Sequence, residues 1–98
     1  MRDSPSIPAS SLPLGQAGRG FCGRVLSIEV SEGAHGLPAA EIERRLLELG
    51  FVEGAEIEVL HEGPFGRDPI AVRVNDTTIA LRRREAMAIH VLLADRPA

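Results

Sequence analysis

The sequence predicts a mainly β fold with some α structure: a small, partly open antiparallel β-barrel with one inserted amphipathic helix and a short helical turn near the C-terminus. Three observations carry this prediction. About four or five short stretches alternate apolar and polar residues with the period of a β-strand, and turn residues separate them. One amphipathic helical pattern follows the first of these stretches. Strands and helices do not alternate along the chain, which argues against a doubly wound parallel sheet.

Composition indicates an ordinary single domain with an aliphatic core. The chain has 98 residues, of which 44% are hydrophobic and 26% are charged. All three aromatic residues are Phe, so the core is expected to consist of Val, Ile and Leu. The formal net charge is −3, whereas nucleic-acid-binding domains are usually basic and stack bases on exposed aromatic rings. We therefore expect no nucleic acid among the partners.

The domain is expected to span residues 12–93. Residues 1–11 are rich in Ser and Pro and are expected to form a flexible tail, and residues 94–98 a free C-terminal end. Cys22 is the single cysteine, which excludes an internal disulfide. No apolar run approaches the roughly 18 residues of a membrane span, and residues 1–20 lack the pattern of a signal peptide. These features predict a cytoplasmic protein.

The first predicted strand covers 24–30. One of its faces is entirely apolar and is expected to contact the core: Leu26, Ile28 and Val30. The opposite face would then carry Val25, Ser27 and Glu29. Ser and Gly residues predict a loop over Ser31–Gly36. The glycines that precede the strand favour turns and bulges, because a phosphate-binding loop requires Gly-Lys-Ser/Thr and no lysine is present there.

The next segment predicts the one full helix. Pro38 suits a first helical turn, where its missing N–H costs nothing. Apolar residues recur at helical spacing and are expected to be buried: Ile42, Leu46 and Leu49. Gly50 stands where a left-handed residue ends many helices. Phe51 is then placed to pack on Leu46 in the Schellman arrangement.

The second half of the chain predicts three alternating strands, a helical turn and a last short strand. The alternating stretches are Glu56–Glu62, Ile70–Val74 and Thr77–Arg82. Asn75-Asp76, between the last two, is typical of a type I′ hairpin turn. Residues 63–69 are predicted to form a loop from their Gly and Pro content. Arg84–Ala88 is expected to form one helical turn, and Ile89–Leu92 the final strand.

Four blocks of the second half are similar to a known family in order, spacing and turn glycines. They are Arg45–Gly54, Ile57–Leu60, Gly63–Val74 and Ile79–Ile89. Over 46–91 the sequence thereby resembles the ferrous iron transport A (FeoA) family. The resemblance implies a small cytosolic SH3-like β-barrel with extra helices. It also implies association with the membrane ferrous iron transporter FeoB, through the cytosolic part of that transporter. The same module is similar to the C-terminal domain of metal-dependent repressors.

The sequence contains four soft or borderline metal ligands: Cys22, His35, His61 and His90. None of them falls at a local ligand spacing such as His-x₃-His or Cys-x₂-Cys. His61 and Glu62 are neighbours on a predicted strand, so their side chains would point to opposite faces. The pattern favours exposed strand and loop residues over a metal site, and no cofactor is expected.

Two features are candidate contacts for a partner protein. Pro64 and Phe65 place a large apolar side chain at the tip of the predicted loop, where an aromatic residue makes a good interface anchor. The alternative is that Phe65 folds back over one end of the barrel. Arg82, Arg83 and Arg84 either end a strand as solvated, acid-paired residues or contact an acidic partner surface. Strand alternation would send Arg83 to the side opposite the other two.

Three functional hypotheses follow. The first is a non-enzymatic accessory protein of bacterial ferrous iron uptake that binds and regulates a FeoB-type transporter, meets the membrane only through that transporter, and is either monomeric or a homo-oligomer. The second is a metal-responsive module that binds Fe²⁺ or another divalent ion through His61, His90 or Cys22 with carboxylates. The third is a detached repressor-type domain, which would need a separate DNA-binding partner. No Ser/His/Asp or Cys/His arrangement indicates catalysis, so we expect no enzyme.

Overall fold

The computed structural model describes residues 11–30 and 38–94. Within these ranges the chain forms six β-strands: β1 (Ser11–Pro13), β2 (Cys22–Ile28), β3 (Glu56–Glu62), β4 (Ile70–Val74), β5 (Thr77–Leu81) and β6 (Ile89–Leu93). Helix α1 covers Ala39–Glu48, helix α2 covers Arg83–Ala86, and a 3₁₀ turn covers Leu14–Gln16. Most of the expected tail at 1–11, the expected loop at 31–36 with His35, and the end at 95–98 lie outside the described residues.

The strands form one antiparallel sheet in the order β1-β6-β2-β3-β4-β5. Hairpin neighbours β3, β4 and β5 pair in sequence, whereas β6 lies between β1 and β2. In the part of the chain that the structure describes, no ladder joins β1 to β5, so the sheet curls without closing. The predicted fold class is confirmed: mainly antiparallel β, with one inserted amphipathic helix and a short helix near the C-terminus. Neither helix in 11–30 and 38–94 has the length and apolarity needed to cross a bilayer.

The core is aliphatic, as the composition predicts, with one buried aromatic ring. Phe51 and Val72 are fully buried, and no polar or charged residue of the described ranges is buried with them. Strand β4 follows its predicted alternation, because Ile70, Val72 and Val74 are all buried while Arg73 is exposed. The inward positions of β3, Ile57 and Val59, are also confirmed.

Strand β1 was not predicted, and β2 begins earlier than expected. Three residues that include Pro13 are too few to show an alternating pattern, so β1 has no local sequence signal. It exists because it pairs with β6, where Leu12 lies opposite Val91. Strand β2 begins at Cys22, since Gly23 pairs with Ile57 on one side and with Leu93 on the other.

The predicted core face of β2 is wrong in its first half. Val25 is 3% exposed and belongs to the core, whereas Leu26 is only partly buried and does not pack against the core. The register with β6 shifts between Val25 and Ser27, so Leu26 is the extra residue of a β-bulge. A bulge reverses which residues face inward, because side chains alternate with a period of two. Beyond it, Ile28 and Val30 pack against the core as predicted.

Helix α1 ends as predicted. Leu49 is the C-cap, and Gly50 adopts a φ of 109°, a left-handed conformation that favours glycine. The Phe51 N–H donates to the Leu46 carbonyl at 3.1 Å and the Gly50 N–H to the Leu47 carbonyl at 3.0 Å, which is the Schellman pair. Phe51 is thereby drawn into the core. The expectation that Leu49 is buried is wrong: Leu49 is 40% exposed and, as the C-cap, lies at the very end of the helix.

The β4–β5 hairpin forms with the predicted two-residue loop, and Val74 lies opposite Thr77. Asn75 has a φ of 53°, but Asp76 is not at positive φ, so the loop lacks the two left-handed residues of a type I′ turn and that prediction is wrong. The Oδ1 of Asn75 accepts from the Glu56 N–H at 3.1 Å, which attaches the turn to β3. Strand β5 ends at Leu81, one residue before the predicted end, and α2 begins at Arg83.

Candidate protein-interaction site

The loop at 63–69 joins β3 to β4 and carries the most exposed large apolar side chain among the described residues. Phe65 is 81% exposed, so it does not fold back over the barrel. Pro64 precedes it and is exposed as well. The loop is closed at its base by the Gly63 N–H, which donates to the Pro69 carbonyl at 2.8 Å. Gly66 and Arg67 reverse the chain with φ values of 70° and 65°. The ring of Phe65 is therefore held outward at the tip of a short, closed loop.

Arg83 ties this loop to the start of helix α2. Its backbone N–H donates to Asp68 Oδ1 at 2.8 Å, and its Nε donates to the Arg67 carbonyl at 2.8 Å. The Asp68 carboxylate accepts from the first backbone N–H of α2, where anions are favoured. The two candidate contact regions, which are separated in sequence, are therefore joined in the fold.

The guanidinium of Arg83 makes three further hydrogen bonds. Its terminal nitrogens donate to the Gly15 carbonyl at 3.1 Å, to the Ala17 carbonyl at 2.7 Å and to Glu62 Oε2 at 2.8 Å. The side chains of Arg83 and Glu62 are each 20% exposed, so this ion pair is partly shielded from water. Four of the five N–H donors of the Arg83 guanidinium are used, which requires acceptors that converge on its planar fork. Arg83 thus has a structural role that joins three chain segments.

Arg82 and Arg84 stand on either side of Arg83, and both are exposed. The Arg82 backbone is extended, with φ −72° and ψ 145°, and its N–H donates to Glu85 Oε1 at 3.2 Å, which caps α2. No hydrogen bond or ion pair within the described residues engages either side chain. Arg82 continues the extended backbone of β5, whereas Arg83 and Arg84 are the first two residues of α2. Arg83 is separated from the other two by its own contacts.

The candidate metal ligands do not converge. Cys22 is exposed at the start of β2, His61 lies opposite Ala71, and His90 lies opposite Ser27. His90 Nε2 is 3.9 Å from Glu29 Oε1, a pair of possible ligands without a third. Over residues 11–30 and 38–94, no three His, Cys, Asp or Glu side chains stand close enough to hold a metal ion. His35 lies outside these ranges.

A second apolar group surrounds the end of α1, and sequence reasoning missed it. Leu47, Leu49 and Val52 are 41%, 40% and 45% exposed. Leu49 belongs to the helical pattern that was expected to be buried. Residues three to four apart share a helix face, but only part of the apolar face of α1 is buried. Ile42 and Leu46 occupy that part.

The FeoA domain family model matches residues 12–93. The Fe(2+) transport protein A/Fe(2+) transporter FeoB fusion protein of Porphyromonas gingivalis is 44% identical over 50 residues, which cover 51% of this chain and 6% of the fusion protein. FeoA of Stenotrophomonas maltophilia, solved with zinc and described as a prokaryotic SH3 domain protein, is 37% identical with a TM-score of 0.64. That comparison covers 80% of this chain and 86% of the other.

A manganese-dependent transcriptional repressor, solved with manganese, has a TM-score of 0.72 at 23% identity. The match covers 92% of this chain and 39% of the repressor, and at this identity it shows a shared fold alone. The family match extends over the sheet, both helices and the loop of Phe65. It agrees with the resemblance carried by the turn at Gly50 and the strands after it. The chain therefore belongs to the FeoA family of ferrous iron transport, with an SH3-like fold.

Proposed function

We propose that this protein is a cytoplasmic accessory protein of bacterial ferrous iron uptake that binds the cytosolic part of a FeoB-type transporter and regulates it. One observation carries the proposal: in the Porphyromonas gingivalis relative, Fe(2+) transport protein A and the transporter FeoB are fused in one chain. Fusion of two modules raises their effective concentration and replaces a weak intermolecular contact. Where the two modules are not fused, the contact must form through the surface of the FeoA domain.

Phe65 is the proposed apolar anchor of this contact. At 81% exposure its ring is available to a partner, and burial of an aromatic side chain contributes strongly to binding. The loop beneath it is fixed by the Gly63 and Arg83 hydrogen bonds. A fixed loop loses little conformational entropy on binding, which favours affinity. Pro64 adds a rigid, exposed neighbour to the same contact.

Arg82 and Arg84 supply the proposed electrostatic part. They add a local positive patch to a chain whose formal net charge is −3. A partner with an acidic surface would be attracted to this patch, and exposed charges of this kind act mainly on association rate and orientation. Arg83 takes no direct part in the contact that we propose, because its donors are used within the domain.

The test is a binding titration between the full chain and the purified cytosolic part of a FeoB-type transporter. We expect Phe65→Ala to weaken binding by at least tenfold, as loss of an anchor of about 1.4 kcal/mol or more would do. Leu93→Ala is the matched control, because it removes an apolar side chain that is 53% exposed on β6. Equal binding by the wild type and Phe65→Ala would remove Phe65 from the interface, and no binding by the wild type would refute the proposal.

A second candidate function is a metal-responsive module. The observation that favours it is the zinc complex of the Stenotrophomonas maltophilia relative. Within the described residues of this chain, the pair His90 and Glu29 is the nearest approach to a ligand set. Anaerobic calorimetry with Fe²⁺, Zn²⁺ and Mn²⁺ decides between the two functions. Stoichiometric heat that His90→Ala abolishes would support a metal site, and absence of heat would exclude it.

A further inference from the structure

The two edge strands of the sheet differ in how they are protected. Strand β1 has three residues and contains Pro13, two properties that prevent an edge from pairing with another strand. Strand β5 has five residues, Thr77–Leu81, and contains neither proline nor charge. An uncharged edge of this length offers a row of backbone groups to any strand that approaches it. Strand β5 is therefore the edge of the described sheet that is open to pairing.

The backbone groups that β5 offers belong to Thr78 and Ala80. Val74 and Thr77 flank a two-residue turn, so they form a hydrogen-bonded pair, and Thr77, Ile79 and Leu81 direct their N–H and C=O groups toward β4. The N–H and C=O groups of Thr78 and Ala80 must then point away from β4. No hydrogen bond among the described residues engages these four groups. Both residues are exposed and have small side chains.

We propose that β5 pairs antiparallel with β5 of a second copy of this chain, about a twofold axis at Ile79. In this register Thr78 lies opposite the partner's Ala80, and Ala80 opposite the partner's Thr78. Both pairs exchange N–H and C=O groups, so all four free groups are satisfied. If the register is shifted by one hydrogen-bonded pair in either direction, either Thr78 or Ala80 of each strand has no hydrogen-bonding residue opposite it. The sequence of the edge thus selects one register.

Charge complementarity identifies the occupant as a second copy. The same register brings Arg82 opposite the partner's Asp76, and the twofold axis repeats this pair at the other end of the strand. Arg82 continues the extended backbone of β5, with φ −72° and ψ 145°, and it lies on the same face as Thr78 and Ala80. Arg82 and Asp76 are both exposed, and no ion pair of the described residues includes either of them.

The interface continues the sheet from one copy into the next. Ile79 is partly buried at the edge of the core, and the twofold axis places it beside its counterpart as a non-hydrogen-bonded pair. The outer faces of Thr78 and Ala80 present no bulky side chain that would keep the strands apart. This dimer shares Arg82 with the proposed transporter contact, but its hydrogen bonds come from β5 and not from the loop of Phe65, and it can be measured without the transporter.

The test is sedimentation equilibrium of the full chain from about 10 μM to about 1 mM, a range that covers weak association. We expect a monomer–dimer equilibrium for the wild type. Ala80→Pro removes an N–H that β4 does not use, and it is expected to abolish the dimer. Arg82→Asp and Asp76→Arg each place like charges opposite one another at two symmetric positions, and each is expected to weaken the dimer about tenfold. The double variant Arg82→Asp/Asp76→Arg is expected to restore it.

Two control variants test whether the effects are specific to this register. Arg84→Asp makes the same charge change outside the register, and Phe65→Ala removes the candidate transporter anchor; both are expected to leave the dimer unchanged. A monomeric wild type at every concentration overturns the proposal. A dimer that survives Ala80→Pro, or one that the double charge swap fails to restore although the variant is folded by circular dichroism, also overturns it. A monomeric wild type that instead binds an extended segment of another protein on β5 would assign the edge to that protein.

Discussion

Arg83 and the arginines on either side of it differ in what surrounds their side chains. Arg83 donates to the carbonyls of Gly15, Ala17 and Arg67 and to the Glu62 carboxylate, and it is 20% exposed. Arg82 and Arg84 project into solvent. Helix α2 starts within this run, so neighbouring residues leave it in different directions. The same residue type therefore serves as a structural junction at one position and as an exposed charge at the positions on either side of it.

The difference bears on the proposed binding surface. An exposed ring on a mobile loop would lose entropy when a partner fixed it. Here the loop of Phe65 is attached to the domain through Asp68 and Arg67, which both bond to Arg83. The half-buried junction thus holds the exposed surface in place. We expect substitutions in the junction around Arg83 to alter stability, and substitutions on the exposed surface to alter binding.

The largest effect is expected for Arg83→Met. Loss of the guanidinium leaves the partly buried Glu62 carboxylate without its cation. It also leaves the carbonyls of Gly15, Ala17 and Arg67 without this donor. Hydrogen bonds to charged groups contribute about 1.5–3 kcal/mol each when they are lost from shielded sites, and we expect the free energy of unfolding to fall by about 3 kcal/mol. Urea unfolding followed by circular dichroism measures it. Arg84→Met is the control, and it is expected to change the free energy of unfolding by less than about 0.5 kcal/mol. Equal destabilisation by the two variants would show that Arg83 has no special structural role.

A smaller effect is expected for Gly15→Ala, which adds a methyl group that crowds the same junction. A Cβ at this position would lie 2.4 Å from the Arg83 carbonyl oxygen and 2.7 Å from Met87 Sδ, so backbone must shift. Overpacking of this kind costs about 1–3 kcal/mol. Gly18→Ala is the matched control, because its Cβ would meet only Glu62 Oε2 at an ordinary 3.8 Å. Thermal unfolding of both variants should show a lower midpoint for Gly15→Ala alone, and an unchanged midpoint would mean that the junction is loosely packed.

The smallest effect on stability is expected for Phe65→Ala. At 81% exposure the ring contributes little to the core, so the free energy of unfolding should change by less than about 0.5 kcal/mol. The same variant is expected to lose binding to the transporter's cytosolic part. Denaturant unfolding provides the measurement. A destabilisation comparable to that of Arg83→Met would show that Phe65 belongs to the folded scaffold and not to the contact surface.

Local sequence predicted the parts of the fold that local physics determines. The end of α1 at Gly50 and Phe51 follows from one left-handed residue and two hydrogen bonds within six residues. The alternation of β4 follows from burial of one sheet face. Strand β1, the bulge at Leu26 and the exposure of Leu49 were missed because each depends on where another element of the sheet lies. No spacing along the chain encodes that position.

The candidate site was predictable only in part for the same reason. Pro64 and Phe65 stand out in the sequence, because a large apolar residue in a loop of Gly and Pro is unusual. Nothing in the run of three arginines distinguishes its middle member, since the carbonyls that bind Arg83 belong to residues 66 and 68 positions earlier. A basic run in a sequence therefore indicates a charged surface, and the fold decides which of its members remain on it.

The hydrogen bonds from Arg83 to Gly15 and Ala17 span 68 and 66 positions of the chain. Contacts of such separation form late in folding, because the loop they close must first lose its entropy. The loop that carries Phe65 is attached to Arg83 across 15 and 16 positions, and Arg83 is in turn attached to Gly15 and Ala17 near the other end of the domain. A nascent or partly unfolded chain would therefore not present the ordered loop, and binding through it would select molecules that have finished folding.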